Sequence, residues 1–101
     1  CQYNLISSRR RFGRIAKLLG ERTDGLSATD ASQAAIKAIN IISRDVGIPE
    51  GLIALGKRYG KEVREEDIPV MTANAQKDAC GLTNPRIMSD AAVAAIYKAA
   101  L

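Results

Sequence analysis

The residues best equipped for chemistry lie together in KDACGLTNPRIMSD, Lys77 to Asp90. Cys80 brings a thiol, Gly81 to Thr83 a short polar-to-apolar step, and Asn84-Pro85-Arg86 an amide, a rigid ring and a guanidinium. A plain helix-to-helix turn needs only a glycine and a cap. The chain contains no histidine, so neither a Ser-His nor a Cys-His pair can be assembled from it, and no imidazole metal site. Cys80 reads as the C-terminal end of a helix, where the backbone dipole is negative and opposes thiolate formation. Activation would fall to Arg86 or Lys77. The thiol therefore reads as a small apolar filler or a cleft-lining group rather than an independent nucleophile. Pro85 fixes its own φ and keeps Asn84 extended, so the next helix is entered at a set angle. Asn84 can bond local backbone, and Arg86 can reach a carboxylate or a carbonyl at a helix end.

Other chemistries find less support. Glycines occur singly, without G-x-G-x-x-G or a Walker loop, so nothing cradles a nucleotide. Glu65, Glu66 and Asp67 are adjacent and fan around a helix instead of converging on a metal. Cys1 and Cys80 read as two free thiols. A formal net charge of +4 is concentrated in Arg9, Arg10, Arg11, Arg14 and Lys17. That cluster suits a solvated helix face, or a free-standing basic helical binding module for nucleic acid or protein. No aromatic stacking platform accompanies it, which weighs against nucleic acid.

The elements that position these groups are helices. Hydrophobic residues form 47% of the 101-residue chain but aromatics only 4%, so alanine, isoleucine and leucine must build a close-packed core. From Ser8 to Leu19, Phe12, Ile15, Ala16 and Leu19 recur at helical spacing, with Gly20 as terminator. Ser27 caps a second helix that runs to Val46, with Ala31, Ala35, Ala38, Ile39, Ile42 and Val46 as the buried stripe. Glu50 to Gly56 offers one short turn, and GKRYGKEV, Gly56 to Val63, reads as an exposed excursion. Glu65 to Asp67 open the first turn of another helix, which tolerates Pro69 and buries Ile68, Met71, Thr72, Ala75 and Ala79 before Gly81 stops it. Ser89 caps the last helix, which buries Val93, Ile96, Tyr97 and Leu101. The expectation is an all-α fold of four to five packed helices. No apolar run reaches the roughly 18 residues of a membrane span, and the N-terminal residues lack signal-peptide order; a soluble, cytoplasmic, non-membrane location is expected.

In order, YNLI (3–6), RFGRIAKLLG (11–20), GLSATDA (25–31), RDVGIPEGL (44–52), EEDIPVM (65–71), KDACGLTNPR (77–86) and AAIYKAAL (94–101) resemble the C-terminal end of an iron-containing alcohol dehydrogenase. This group includes lactaldehyde reductases, propanediol dehydrogenases and some ethanol and methanol dehydrogenases. The succession of GIP, EEDIP, K-D-x-C, NPR and I-Y-x-A-A carries the resemblance, which covers essentially the whole chain. One departure is the lengthened link GKRYGKEV.

The resemblance implies residues 1–101 of a C-terminal helical segment, without the dinucleotide-binding domain and the iron-ligand helices, which would lie upstream of Cys1. It implies an oxidoreductase interconverting short primary alcohols or diols and aldehydes by hydride transfer to NAD(P), with Fe(2+) as Lewis acid on the alcohol oxygen. Neither cofactor would be bound by this chain alone, and the isolated chain would be inactive. The implied partner is the remainder of the same enzyme, as a homo-oligomer when complete. Cys80, Gly81, Leu82 and Thr83 would line the substrate cleft, and Asn84, Pro85 and Arg86 would fix that loop to the last helix.

Overall fold

The computed structural model describes all 101 residues, Cys1–Leu101, and is entirely helical. Five α-helices are joined by loops and three short 3-10 turns: α1 Arg9–Leu18, α2 Ala28–Asp45, α3 Gly51–Arg58, α4 Ile68–Gln76 and α5 Asp90–Ala99. The chain divides into two compact units, Cys1–Ile48 and Pro49–Leu101. No helix is long and apolar enough to cross a membrane.

In the first unit α1 packs on α2. Phe12, Ala16 and Ala35 form the buried cluster, the product of an apolar stripe facing its counterpart. The helices approach closely because the contacting residues are small: a Cβ built on Gly13 would meet the Ala31 Cβ at 3.4 Å. Ser27 Oγ accepts the Asp30 amide at 3.1 Å and donates to the Asp30 carboxylate at 2.6 Å, which satisfies one of the free first-turn donors of α2. Ser32 is fully buried, its hydroxyl donating to the Thr29 carbonyl at 2.7 Å. The expected stripe of α2 holds at Ala31, Ala35 and Ala38 and fails further on: Ile42 is 44% and Val46 68% exposed. The 18 residues of α2 against the 10 of α1 explain this, since at about 1.5 Å per residue the longer helix runs roughly 12 Å past the shorter. Ile15 and Leu19 of α1 are likewise more exposed than their spacing suggests.

In the second unit α4 packs against α5, burying Ile68, Thr72 and Val93. Met71, Ala75, Tyr97 and Leu101 are half-buried, whereas Ile96 and Ala79 are exposed. α3 extends two residues past Gly56, to Arg58, so the expected excursion is helical at its start. Gly56 is buried because the chain folds back over it: Lys61 N donates to Gly56 O at 2.8 Å, and a Cβ there would sit 2.7 Å from Lys61 O and 2.8 Å from Val63 Cγ2. The N-terminus of α3 is served by the two residues that follow α5, with Leu52 N donating to Ala100 O at 2.6 Å and Ile53 N to Leu101 O at 3.4 Å. Gly51 permits that approach, having φ of 84° and room for no Cβ beside Leu101 O. Glu65–Asp67 form a 3-10 turn ahead of α4 rather than its first α-turn; Asp67 accepts the Arg64 amide at 2.9 Å.

Candidate functional site

The Lys77–Ser89 connection begins three residues earlier than the sequence suggests. α4 ends at Gln76, because Asp78 turns extended (φ −77°, ψ 124°) and its Oδ1 accepts the Cys80 amide at 2.8 Å. Aspartate competes with the helix for backbone donors and favours caps. A 3-10 turn over Ala79–Thr83 follows. The expected helix through Ala79 with Gly81 as its stop is thereby corrected: Cys80 is the second residue of a new turn capped by Asp78, and Gly81 lies inside that turn without positive φ. The restraint on the thiol also changes cause. A hydrogen bond from the thiol to Asp78 and the carboxylate's charge raise the Cys80 pKa, and the Cys80 amide and thiol lower that of Asp78. The thiolate is disfavoured by a neighbouring carboxylate rather than by a helix end.

Hydrogen bonds carry the turn onward. Thr83 Oγ1 donates to Cys80 O at 3.2 Å, and Asn84 N to Gly81 O at 3.2 Å. Asn84 is extended (φ −65°, ψ 136°) as its proline neighbour requires, and its Nδ2 donates to Arg86 O at 2.6 Å. Ser89 Oγ accepts the Ala92 amide at 3.2 Å and starts α5. At the base, Gln76 Nε2 donates to Met88 O at 2.8 Å and to Asp90 Oδ1 at 2.7 Å. That bond pair joins the end of α4 to the start of α5.

Of the sequence-derived candidates, Gly81, Leu82, Asn84 and Arg86 line a surface recess of about 280 Å³, together with Gln76 and Asp78. Cys80 and Thr83 are exposed and are not among its lining residues, and Pro85 is exposed between them and α5. The connection is apolar as well as open: Leu82 in the turn is 88% and Ile87 beyond it 97% exposed. Asp78 and Gln76 are not singled out by the sequence. An Asp two residues before Cys80 is a turn-capping signal that could have been read, whereas the partners of Gln76 lie 12 and 14 positions away and leave no local trace.

The model for the C-terminal part of the Fe-containing alcohol dehydrogenase family matches residues 1–101. The chain belongs to the iron-containing alcohol dehydrogenase family. It is 41% identical over 101 residues to an NAD-dependent methanol dehydrogenase of Bacillus methanolicus, covering all of this chain and 25% of that enzyme. It is 42% identical over 99 residues to a 1,3-propanediol dehydrogenase of Citrobacter freundii, covering 98% of this chain and 24% of the enzyme. A crystal structure of a 1,3-propanediol oxidoreductase superposes with a TM-score of 0.90 at 42% identity, over 99% of this chain and 25% of that one. An alcohol dehydrogenase from Oenococcus oeni gives 0.88 at 38% identity, over 98% and 24%. The chain thus spans about a quarter of the length of the relatives it matches.

Membership in this family implies iron and a nicotinamide dinucleotide, and the residues present do not fit either. Iron needs several converging N, O or S donors. The chain has no histidine, and no three of its Cys, Asp and Glu side chains gather closely enough to hold an ion. The doubly wound type of dinucleotide site is a glycine-rich strand-to-helix turn, and the chain has no strand. These 101 residues hold neither a converging set of iron donors nor a turn of that type.

Proposed function

We propose that this chain is the C-terminal helical segment of an iron-dependent, NAD(P)-linked alcohol dehydrogenase acting on short primary alcohols or diols. Iron and dinucleotide belong to the remainder of the enzyme, in its dinucleotide domain and upstream helices, and the 101 residues alone have no turnover. The match of all 101 residues to the family's C-terminal model carries this reading, supported by relatives named for methanol and 1,3-propanediol. The turn Cys80–Thr83 contributes a wall of the substrate cleft, with Asn84-Pro85-Arg86 holding it against α5. Its exposed apolar and thiol surface suits the carbon chain of an alcohol, and its neutral thiol is shaped for contact rather than attack. The complete enzyme is a cytoplasmic homo-oligomer. In this reading the basic face of α1 is a solvated surface.

The test uses the complete iron-loaded enzyme carrying this segment, with NAD reduction by 1,3-propanediol as readout. C80A should change KM for the alcohol by roughly tenfold or less and leave the iron content of the purified protein unaltered. Loss of iron in that variant would remove the cleft-wall assignment. Dehydrogenase activity in the purified 101-residue chain would overturn the whole reading.

A further inference from the structure

We infer that Gln76 is a positioning residue that sets where the Cys80–Thr83 turn stands, an inference that rests on the cleft-wall reading. Side-chain packing does little to hold the turn, since Cys80, Gly81, Leu82 and Thr83 are all exposed. Its placement therefore depends on polar anchors. Four of its bonds are local: Asp78 to the Cys80 amide, Thr83 to the Cys80 carbonyl, the Asn84 amide to the Gly81 carbonyl, and the Asn84 side chain to the Arg86 carbonyl. These four fix its shape without fixing its place. Gln76 acts differently, because one amide nitrogen spans from the last residue of α4 to Met88 O at 2.8 Å and Asp90 Oδ1 at 2.7 Å. It thereby joins the two ends of the connection that carries the turn. Both of its protons are used, one on a carbonyl and one on a carboxylate, and the second bond is charge-assisted. A primary amide is the group required: an aliphatic chain of equal size offers no donor, and a carboxylate would confront Asp90 with like charge. Asp78 and Arg86 line the same recess, so the charges around a substituted side chain are Asp90, Asp78 and Arg86.

The experiment compares Q76L and Q76E with wild type in the complete enzyme. Q76L should raise KM for the alcohol about fivefold to tenfold, in the range for losing one ordinary and one charge-assisted hydrogen bond at an exposed position, with kcat changed less than about twofold and iron content unaltered. Q76E should be worse at neutral pH and recover toward wild type as the pH falls, because its new carboxyl donates only when protonated. A KM unchanged in Q76L overturns the inference. So does an equal loss of kcat and thermal stability in both variants without pH-dependent recovery, which would make Gln76 a merely structural link. The same inference is decided independently in the 101-residue chain by amide hydrogen exchange over Cys80–Thr83, faster in Q76L and unchanged if the inference is wrong. A complete wild-type enzyme without alcohol turnover would sink the proposed function and leave that second measurement standing.

Discussion

Two glycines inside helices make opposite predictions from the same substitution. Glycine to alanine in a helix interior gains about 1 kcal/mol through lower backbone entropy. At Gly13 nothing opposes that gain, because the new Cβ meets only the Ala31 Cβ at 3.4 Å, close to ordinary contact. At Gly56 the new Cβ would lie 2.7 Å from Lys61 O and 2.8 Å from Val63 Cγ2. Both neighbours must retreat by roughly 0.7 Å to reach a normal separation of about 3.5 Å. Lys61 is also held inward by its own amide bond to Gly56 O at 2.8 Å, so the retreat stretches that bond. Overpacking of this kind costs about 1–3 kcal/mol; because the closest neighbour is a backbone carbonyl that cannot swing away, the upper part of that range applies, and G56A is destabilised by about 1–2 kcal/mol after the propensity gain. With about 4–8 °C per kcal/mol for a domain of this size, thermal unfolding followed by circular dichroism should give G56A a lower Tm and G13A a higher one. A G56A protein as stable as wild type would refute the reasoning, and so would shifts of the same sign in both variants.

S27A removes the hydroxyl that accepts the Asp30 amide and should cost about 1 kcal/mol, read as a lower midpoint in urea; an unchanged midpoint would mean that Ser27 does not cap α2. D78N retains an oxygen for the Cys80 amide while removing the charge that raises the thiol's pKa. The sign is direct: with the carboxylate gone the thiol pKa falls, the thiolate fraction at mildly alkaline pH rises, and alkylation by iodoacetamide quickens. An alkylation rate the same as wild type across that pH range would remove Asp78 as the cause.

The readable parts of the fold are those signalled locally. α1, α2 and α5 lie within a residue or two of their expected limits, since Ser27 and Ser89 are side-chain caps and the helices stop near glycine or at the chain's alanine-rich end. Capping is a short-range interaction and leaves a short-range mark. α3 also starts and ends within two residues of its expected limits, Gly51–Arg58 against Glu50 to Gly56, although the loop that folds back on Gly56 is not legible; the end of α4 is not, because it depends on a choice that periodicity does not encode, a carboxylate at Asp78 that captures an amide. Ile42 and Val46 sit on the stripe of Ala31 and Ala38, and periodicity reports which face is apolar without reporting how far the partner helix reaches. The site shows the same division. Asn84 and Pro85 behave as their types dictate, whereas the role of Gln76 arises only when α4 and α5 are brought together.

The start of α3 has a consequence for the order in which the protein takes shape. The amides of Leu52 and Ile53 find their acceptors on Ala100 and Leu101, so on the ribosome this helix must wait for residues translated some fifty positions later. α1 and α2, neighbours in sequence and closed by a short loop, can dock as soon as both have emerged, because nearby pairings cost little entropy and distant ones cost more. Synthesis should therefore leave α3 frayed at its leading turn until those residues emerge, a temporary opening visible to a protease in stalled nascent chains and absent from the finished protein.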